Sequence, residues 1–234
     1  MDTVSEKLIV TAADGGKFEC HVAKPGKKAT AAIVVIQEIF GITSWLKNTA
    51  DWLASNGYVA IVPDLFWRME PNLNLNDRDD KDLNKAFGLY GQFDQNQGIE
   101  DLKQVVSTVA AMPEANGKVG CMGYCLGGLM TYLMACRSNV DCSVSYYGGG
   151  IDEKLAESGK IKKPILLHLP GEDKFITKDK QAKIKAALGS NSLVTIHTYE
   201  GMDHAFARVG GEHYDKANAE LANGRSIEFF KAHL

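Results

Sequence analysis

Short apolar, β-branched runs alternate with stretches carrying helix signals through this 234-residue chain, and that alternation limits its folds most. Ala31–Ile36 has no polar residue before Gln37, as expected of a strand buried on both faces. Ser44–Asn56 then reads as a helix, with Ser44 as N-cap and Gly57 as terminator. Tyr58–Val62 is a second buried strand, stopped by Pro63-Asp64. The spacing predicts strands over Lys118–Met122, Cys142–Tyr147, Pro164–Leu169 and Leu193–Tyr199. Helices are expected near Leu83–Tyr90 and Ile99–Met112, from the end of the third strand run to about Cys136, over Thr177–Leu188 and from about Tyr214 to Ala232. Lys7–Thr11 and Lys17–Val22 flank Asp14-Gly15-Gly16, a hairpin signal. Such alternation predicts an α/β fold with a mostly parallel central sheet and helices on both faces. No repeat or linker interrupts it, so residues 1–234 are expected to form one domain.

Composition removes several classes of function. Lys+Arg 26 against Asp+Glu 29 leaves a net charge of -3, without the basic surplus of a nucleic-acid binder. The longest apolar run falls far short of the roughly 20 residues a membrane helix needs. Met1-Asp2-Thr3-Val4-Ser5-Glu6 has neither a basic region nor an apolar stretch, so a soluble, cytoplasmic and monomeric protein is expected. Five cysteines cannot all pair, and no CxxC or finger spacing points to zinc. Most of these thiols should be small core hydrophobes.

One of them stands apart. Gly123-Tyr124-Cys125-Leu126-Gly127 has the form of the G-x-S-x-G nucleophile elbow with sulfur in place of oxygen. A strand that turns at once into a helix strains its middle residue and leaves no room for side chains on either flank. The helix start aims free N–H groups at the nucleophile, favouring a thiolate and offering the Leu126 N–H to an oxyanion. The alternative is a glycine-rich turn around a buried cysteine. A phosphate-cradling loop is disfavoured, because neither the dinucleotide glycine spacing nor a following Lys-Ser/Thr is present.

Two downstream segments favour the elbow. Leu166–Leu169 is an apolar strand leading into Pro170-Gly171-Glu172-Asp173, and Val194–Tyr199 leads into Glu200-Gly201-Met202-Asp203-His204. Cys125, Asp173 and His204 thus follow three separate strands in the order nucleophile, acid, base. His204 would take the thiol proton and return it to the leaving group, with Asp173 orienting the imidazole. Glu172 and Asp203 are neighbouring alternatives for the acid. His168, inside an apolar strand, is expected to be a satisfied core residue.

The chain resembles the dienelactone hydrolase (carboxymethylenebutenolidase) family, a cysteine-using branch of the α/β-hydrolases. The resemblance rests on Gln37-Glu38-Ile39-Phe40-Gly41, Gly57-Tyr58, Pro63-Asp64-Leu65, Asn116–Gly120 with Gly123–Gly128, Tyr146-Tyr147-Gly148, Gly171-x-Asp173 and His204-x-Phe206-Ala207-Arg208. It implies the triad Cys125, Asp173 and His204. It implies that Glu38 holds the resting thiol protonated until substrate displaces it, and that the oxyanion hole uses the N–H groups of Ile39 and Leu126. A capping or surface carboxylate is the alternative for Glu38. Arg208 matches the family's loop arginine and would bind a substrate carboxylate; a surface arginine is the competing reading. The family's second arginine has no counterpart in register, where Lys81 or Lys85 could serve only as a point charge. Phe40, Phe87, Tyr90 and Tyr146 are candidates for an apolar acyl pocket. The expected activity is hydrolysis of a small lactone or other activated ester, without metal or organic cofactor. A thiol-based redox sensor and a non-catalytic ligand-binding module are the alternatives.

Overall fold

The computed structural model describes residues 3–26 and 28–234; Met1 and Asp2, where the reading for an export signal began, lie outside them. The chain forms two compact units, residues 1–120 and 121–234.

In the first unit, β1 (Thr3–Thr11) and β2 (Lys17–Pro25) make the expected hairpin, with Thr3 opposite Pro25 and Thr11 opposite Lys17. Its turn is closed by the Ala12 N–H donating to Gly16 O (2.8 Å) and the Gly15 N–H to Ala12 O (2.9 Å). β2 runs antiparallel to β4 (Val59–Pro63), which pairs in parallel with β3 (Ala32–Ile36), so the local order is β1-β2-β4-β3. β3 and β4 are buried along their whole length, which is why their sequences carry no alternation. α1 (Ser44–Ser55) packs on β2 and β4; α2 (Asp80–Gln92) and α3 (Gln95–Ala110) follow. Thr43, not the expected Ser44, caps α1. Its extended backbone lets Oγ1 accept from the Leu46 N–H (3.3 Å), while Ser44 is already the first helical residue. Gly57 ends the helix at a φ of 95°, where an L side chain would be strained.

In the second unit, most of β5 (Val119–Tyr124) leads into α4 (Leu126–Arg137), followed by β6 (Cys142–Tyr146) and the short 3-10 turns Ile151–Glu153 and Leu155–Lys160. Then come β7 (Ile165–Pro170), α5 (Lys178–Leu188), β8 (Val194–Tyr199) and α6 (Lys216–His233). β6, β7 and β8 are parallel neighbours, and α6 packs on β6 and β7. His168 lies at the centre of this core, with Nδ1 2.7 Å from Tyr199 Oη and Nε2 2.9 Å from Ser226 Oγ, the satisfied buried histidine expected. Burial holds its pKa well below the usual imidazole value. Among the described residues no helix is long and apolar enough to cross a membrane.

Candidate active site

β5 ends at Tyr124 and α4 begins at Leu126, so Cys125 alone makes the turn. Its φ of 55° and ψ of −114° lie where a non-glycine residue stores about 1–3 kcal/mol of strain. The flanking glycines are required by lack of space. A Cβ on Gly123 would strike the Gly127 carbonyl and stand 2.6 Å from Thr131 Oγ1; one on Gly128 would strike Tyr146 O and stand 2.8 Å from Gly148 Cα. Two bonds fix the bend: the Cys125 N–H donates to Tyr146 O (3.1 Å) and the Leu129 N–H to Cys125 O (3.1 Å). Cys125 is partly exposed, whereas Cys20, Cys121, Cys136 and Cys142 are buried free thiols. The opening N–H groups of α4 have no acceptor within the helix, and its dipole favours negative charge at this end.

Asp173 and His204 follow β7 and β8. Asp173 Oδ1 accepts from the N–H groups of Phe175 (2.7 Å) and Ile176 (3.0 Å), leaving Oδ2 directed at His204 Nδ1, 2.8 Å away. A carboxylate only accepts, so Nδ1 carries a proton and Nε2 is the nitrogen left for chemistry. Nε2 is buried without a hydrogen bond of normal geometry. Burial alone would depress the imidazole pKa. The neighbouring Cys125 sulfur and the hydrogen bond to Asp173 outweigh it, and the value is pushed up to about 10. Two aromatic rings stand edge-on to His204: Tyr147 at 5.1 Å between centroids and the half-exposed Phe175 at 4.9 Å. The arrangement can pass a proton between Cys125 and His204 while Asp173 stabilises the charged ring.

Of the alternative acids, Glu172 is exposed and pairs with Lys178 (2.7 Å), away from the imidazole. Asp203 takes the Lys174 ammonium (3.2 Å). Leu126 is buried at the first turn of α4, and Arg208 is half-buried in the loop after His204. Tyr146 is the last residue of β6. It is wholly buried, its hydroxyl bonded to Asn223 Oδ1 (2.9 Å) and Ser226 Oγ (2.7 Å), because β6 is covered on both faces and α6 lies over it.

The remaining candidates belong to the first unit. Glu38, Ile39 and Phe40 are buried just after β3, so Glu38 is no surface carboxylate. Phe87 and Tyr90 stand on α2 with their side chains exposed. Lys81 is exposed, and the Lys85 ammonium is paired with Glu70. Phe175 and Ser226 carried no motif and were not anticipated, and Tyr147 stood in a motif without a role; the signal for Phe175 was its place two residues after Asp173.

The family model for dienelactone hydrolases matches residues 18–234. The chain belongs to the dienelactone hydrolase family. It is 41% identical over 229 residues to a protein of Azospirillum brasilense, covering 97% of this chain and 98% of that one. It is 36% identical over 226 residues to the carboxymethylenebutenolidase of Pseudomonas putida, covering 97% and 96%. Among solved structures, the dienelactone hydrolase of Anabaena variabilis superposes with a TM-score of 0.75 at 18% identity, all of both chains being covered. The dienelactone hydrolase-like promiscuous phosphotriesterase P91 superposes at 0.83 and 18% identity, covering 100% and 99%. These neighbours share the α/β-hydrolase fold, with the mostly parallel sheet expected from the sequence.

Proposed function

We propose that this member of the family hydrolyses carboxylic esters and lactones through Cys125, His204 and Asp173, by way of an acyl-enzyme. The reading is carried by the 2.8 Å contact between Asp173 and a buried His204 whose pKa is raised by its Cys125 and Asp173 neighbours. Family membership and the relative's name supply the substrate class. The Cys125 proton passes to His204 Nε2, and the thiolate attacks the substrate carbonyl to give a tetrahedral oxyanion. The Leu126 N–H at the start of α4 is one donor to that oxygen. As the oxyanion collapses, the C–O bond to the leaving alkoxide or enolate breaks and His204 returns the proton to it. In a lactone this oxygen stays attached to the acyl chain. Water, deprotonated by His204, then attacks the thioester; the acid leaves and Cys125 is restored. A thiolate is itself a good leaving group, so stabilised leaving groups are favoured over simple alkoxides. No metal or organic cofactor is needed.

The roles of Glu38 in restraining the thiol, of Ile39 as second oxyanion donor and of Arg208 in binding a carboxylate come from the family resemblance and are part of the same proposal. A redox-sensing role is disfavoured: Cys121, the nearest candidate for a resolving thiol in sequence, is wholly buried, and burial raises its pKa. The test is a panel of lactones, aryl esters and alkyl esters, with and without thiol alkylation. Lactones and aryl esters should react fastest, with a burst of released alcohol. Cys125→Ala should abolish turnover; wild-type rates in that variant would sink the proposal.

A further inference from the structure

The loops that carry Asp173 and His204 are joined by a short ladder. The Gly171 N–H donates to Tyr199 O (2.7 Å), prolonging the pairing of β7 with β8, and the Glu172 N–H donates to Met202 O (2.8 Å). Asp173 then meets His204, and beyond them the Lys174 N–H donates to Asp203 Oδ1 (3.3 Å) while the Lys174 ammonium stands 3.2 Å from Oδ2. Asp203 Oδ1 also accepts from the His204 N–H (2.7 Å). A third segment reaches it too, His213 Nε2 lying 3.7 Å from Oδ2. The triad contact is therefore bracketed by a main-chain rung on one side and by an Asp203 rung on the other.

We propose that Asp203 is a positioning residue that locks the loop of His204 to the loop of Asp173, holding the imidazole in line with its carboxylate and with Cys125. The inference rests on the triad reading above. Its physical basis is the chain on either side of His204. Ala205 follows with a φ of 64°, a left-handed conformation that a non-glycine residue keeps only when its surroundings impose it. Asp203 lies two residues before that strained one, directly ahead of His204, and it grips the opposing loop through both carboxylate oxygens. The main-chain rungs at Gly171 and Glu172 do not depend on it, so its loss loosens the imidazole while leaving the fold in place. Burial opposes its ionisation, but the His204 N–H and the Lys174 ammonium hold its pKa below the usual carboxylate value.

Two substitutions separate positioning from mere occupancy. Asp203→Asn keeps an oxygen that can accept from the Lys174 and His204 N–H groups. In Asp203→Ser the shorter side chain can still serve its own neighbour but not reach Lys174. On an aryl ester, Asp203→Asn should stay within about threefold of wild type, while Asp203→Ser should lose about tenfold in kcat with KM moved less than twofold, the cost of a slightly misplaced base. An activity-free arm follows the downfield Nδ1 proton of His204 by NMR and the rate of iodoacetamide alkylation at Cys125. Asp203→Ser should broaden the first and slow the second; Asp203→Asn should preserve both. Equal behaviour of the two variants, a loss confined to KM, or collapse of the thermal transition in both would each overturn the proposal. A wild-type protein that hydrolyses no ester would defeat the functional proposal instead, and the NMR arm would still decide the role of Asp203.

Discussion

Asp173→Asn replaces one oxygen by an NH2 group, and the hydrogen bonds around Asp173 determine which one. Oδ1 accepts from the Phe175 and Ile176 N–H groups at 2.7 and 3.0 Å, so that position must remain an oxygen. The new NH2 is then forced into the place of Oδ2, 2.8 Å from His204 Nδ1. Two donors cannot face each other, and the ring must give up its Nδ1 proton and carry one on Nε2. That tautomer cannot take a proton from Cys125. The wild-type imidazole is raised from 6.5 to about 10, equivalent to roughly 5 kcal/mol in favour of its charged form. Cys125 and Asp173 share that effect. Loss of the Asp173 carboxylate and the wrong tautomer both lower the population of the competent ring. The expected fall in kcat/KM is about a thousandfold on an aryl ester. Both retained N–H bonds should keep the melting temperature near wild type. The assay is kcat/KM against pH, paired with a thermal melt. Without the carboxylate, the pH at which His204 titrates should move down. A variant within tenfold of wild type at every pH would refute the reasoning.

Three further perturbations follow from the same structure. Gly123→Ala drives a methyl into the Gly127 carbonyl and should destabilise the protein by about 1–3 kcal/mol, read by urea unfolding, with turnover lost as the elbow shifts. Ser226→Ala removes the oxygen shared by Tyr146 Oη (2.7 Å) and His168 Nε2 (2.9 Å), leaving the buried Nε2 unpaired while Tyr146 keeps Asn223. It should cost about 1–3 kcal/mol in unfolding while leaving kcat of the folded enzyme unchanged. The raised pKa of His204 stabilises the folded state fully below its ordinary value of 6.5, and this contribution disappears as pH climbs to about 10. The gap in unfolding free energy between wild type and His204→Gln should therefore narrow steadily across that window. A constant gap would contradict the assignment.

The parts of the site that could be read from the chain are those in which geometry dictates residue type. Gly123 and Gly128 have no room for a Cβ, so the elbow left its mark in the glycine spacing. Asp173 and His204 follow buried strands whose apolar runs are unmistakable, and their order did the rest. Where packing is two-sided the signal fails. Tyr146 looked like a pocket wall because β6 is buried on both faces and shows no alternation to tell which way a residue points. Phe175 sits in an acidic turn with no periodicity, and nothing local announces that its ring meets His204 edge-on. Thr43 and Ser44 are equally good caps by composition, and only the backbone decides between them. Asp203 reads only as an alternative acid because its contact with Lys174 spans 29 positions.

The precision of the triad comes from strand ends more than from loops. The Cys125 N–H donates to Tyr146 O, the Tyr147 N–H to His168 O and the Gly171 N–H to Tyr199 O, so each strand from β5 to β7 is tied at its carboxyl end to the next. Cys125, Asp173 and His204 are thus attached just beyond a parallel ladder that continues past the formal strands. Strain collects on the same edge: Cys125, Tyr147 and Ala205 all have positive φ, at 55°, 38° and 64°. Each would relax if its segment were free, at a gain of about 1–3 kcal/mol. That all three persist side by side means the ladder and the glycine contacts impose the conformation from outside. In the proposed mechanism, an imidazole held this way needs little reorganisation. Loosening any rung should therefore appear first in kcat and only later in stability, because the strands behind the site remain paired when the edge gives way.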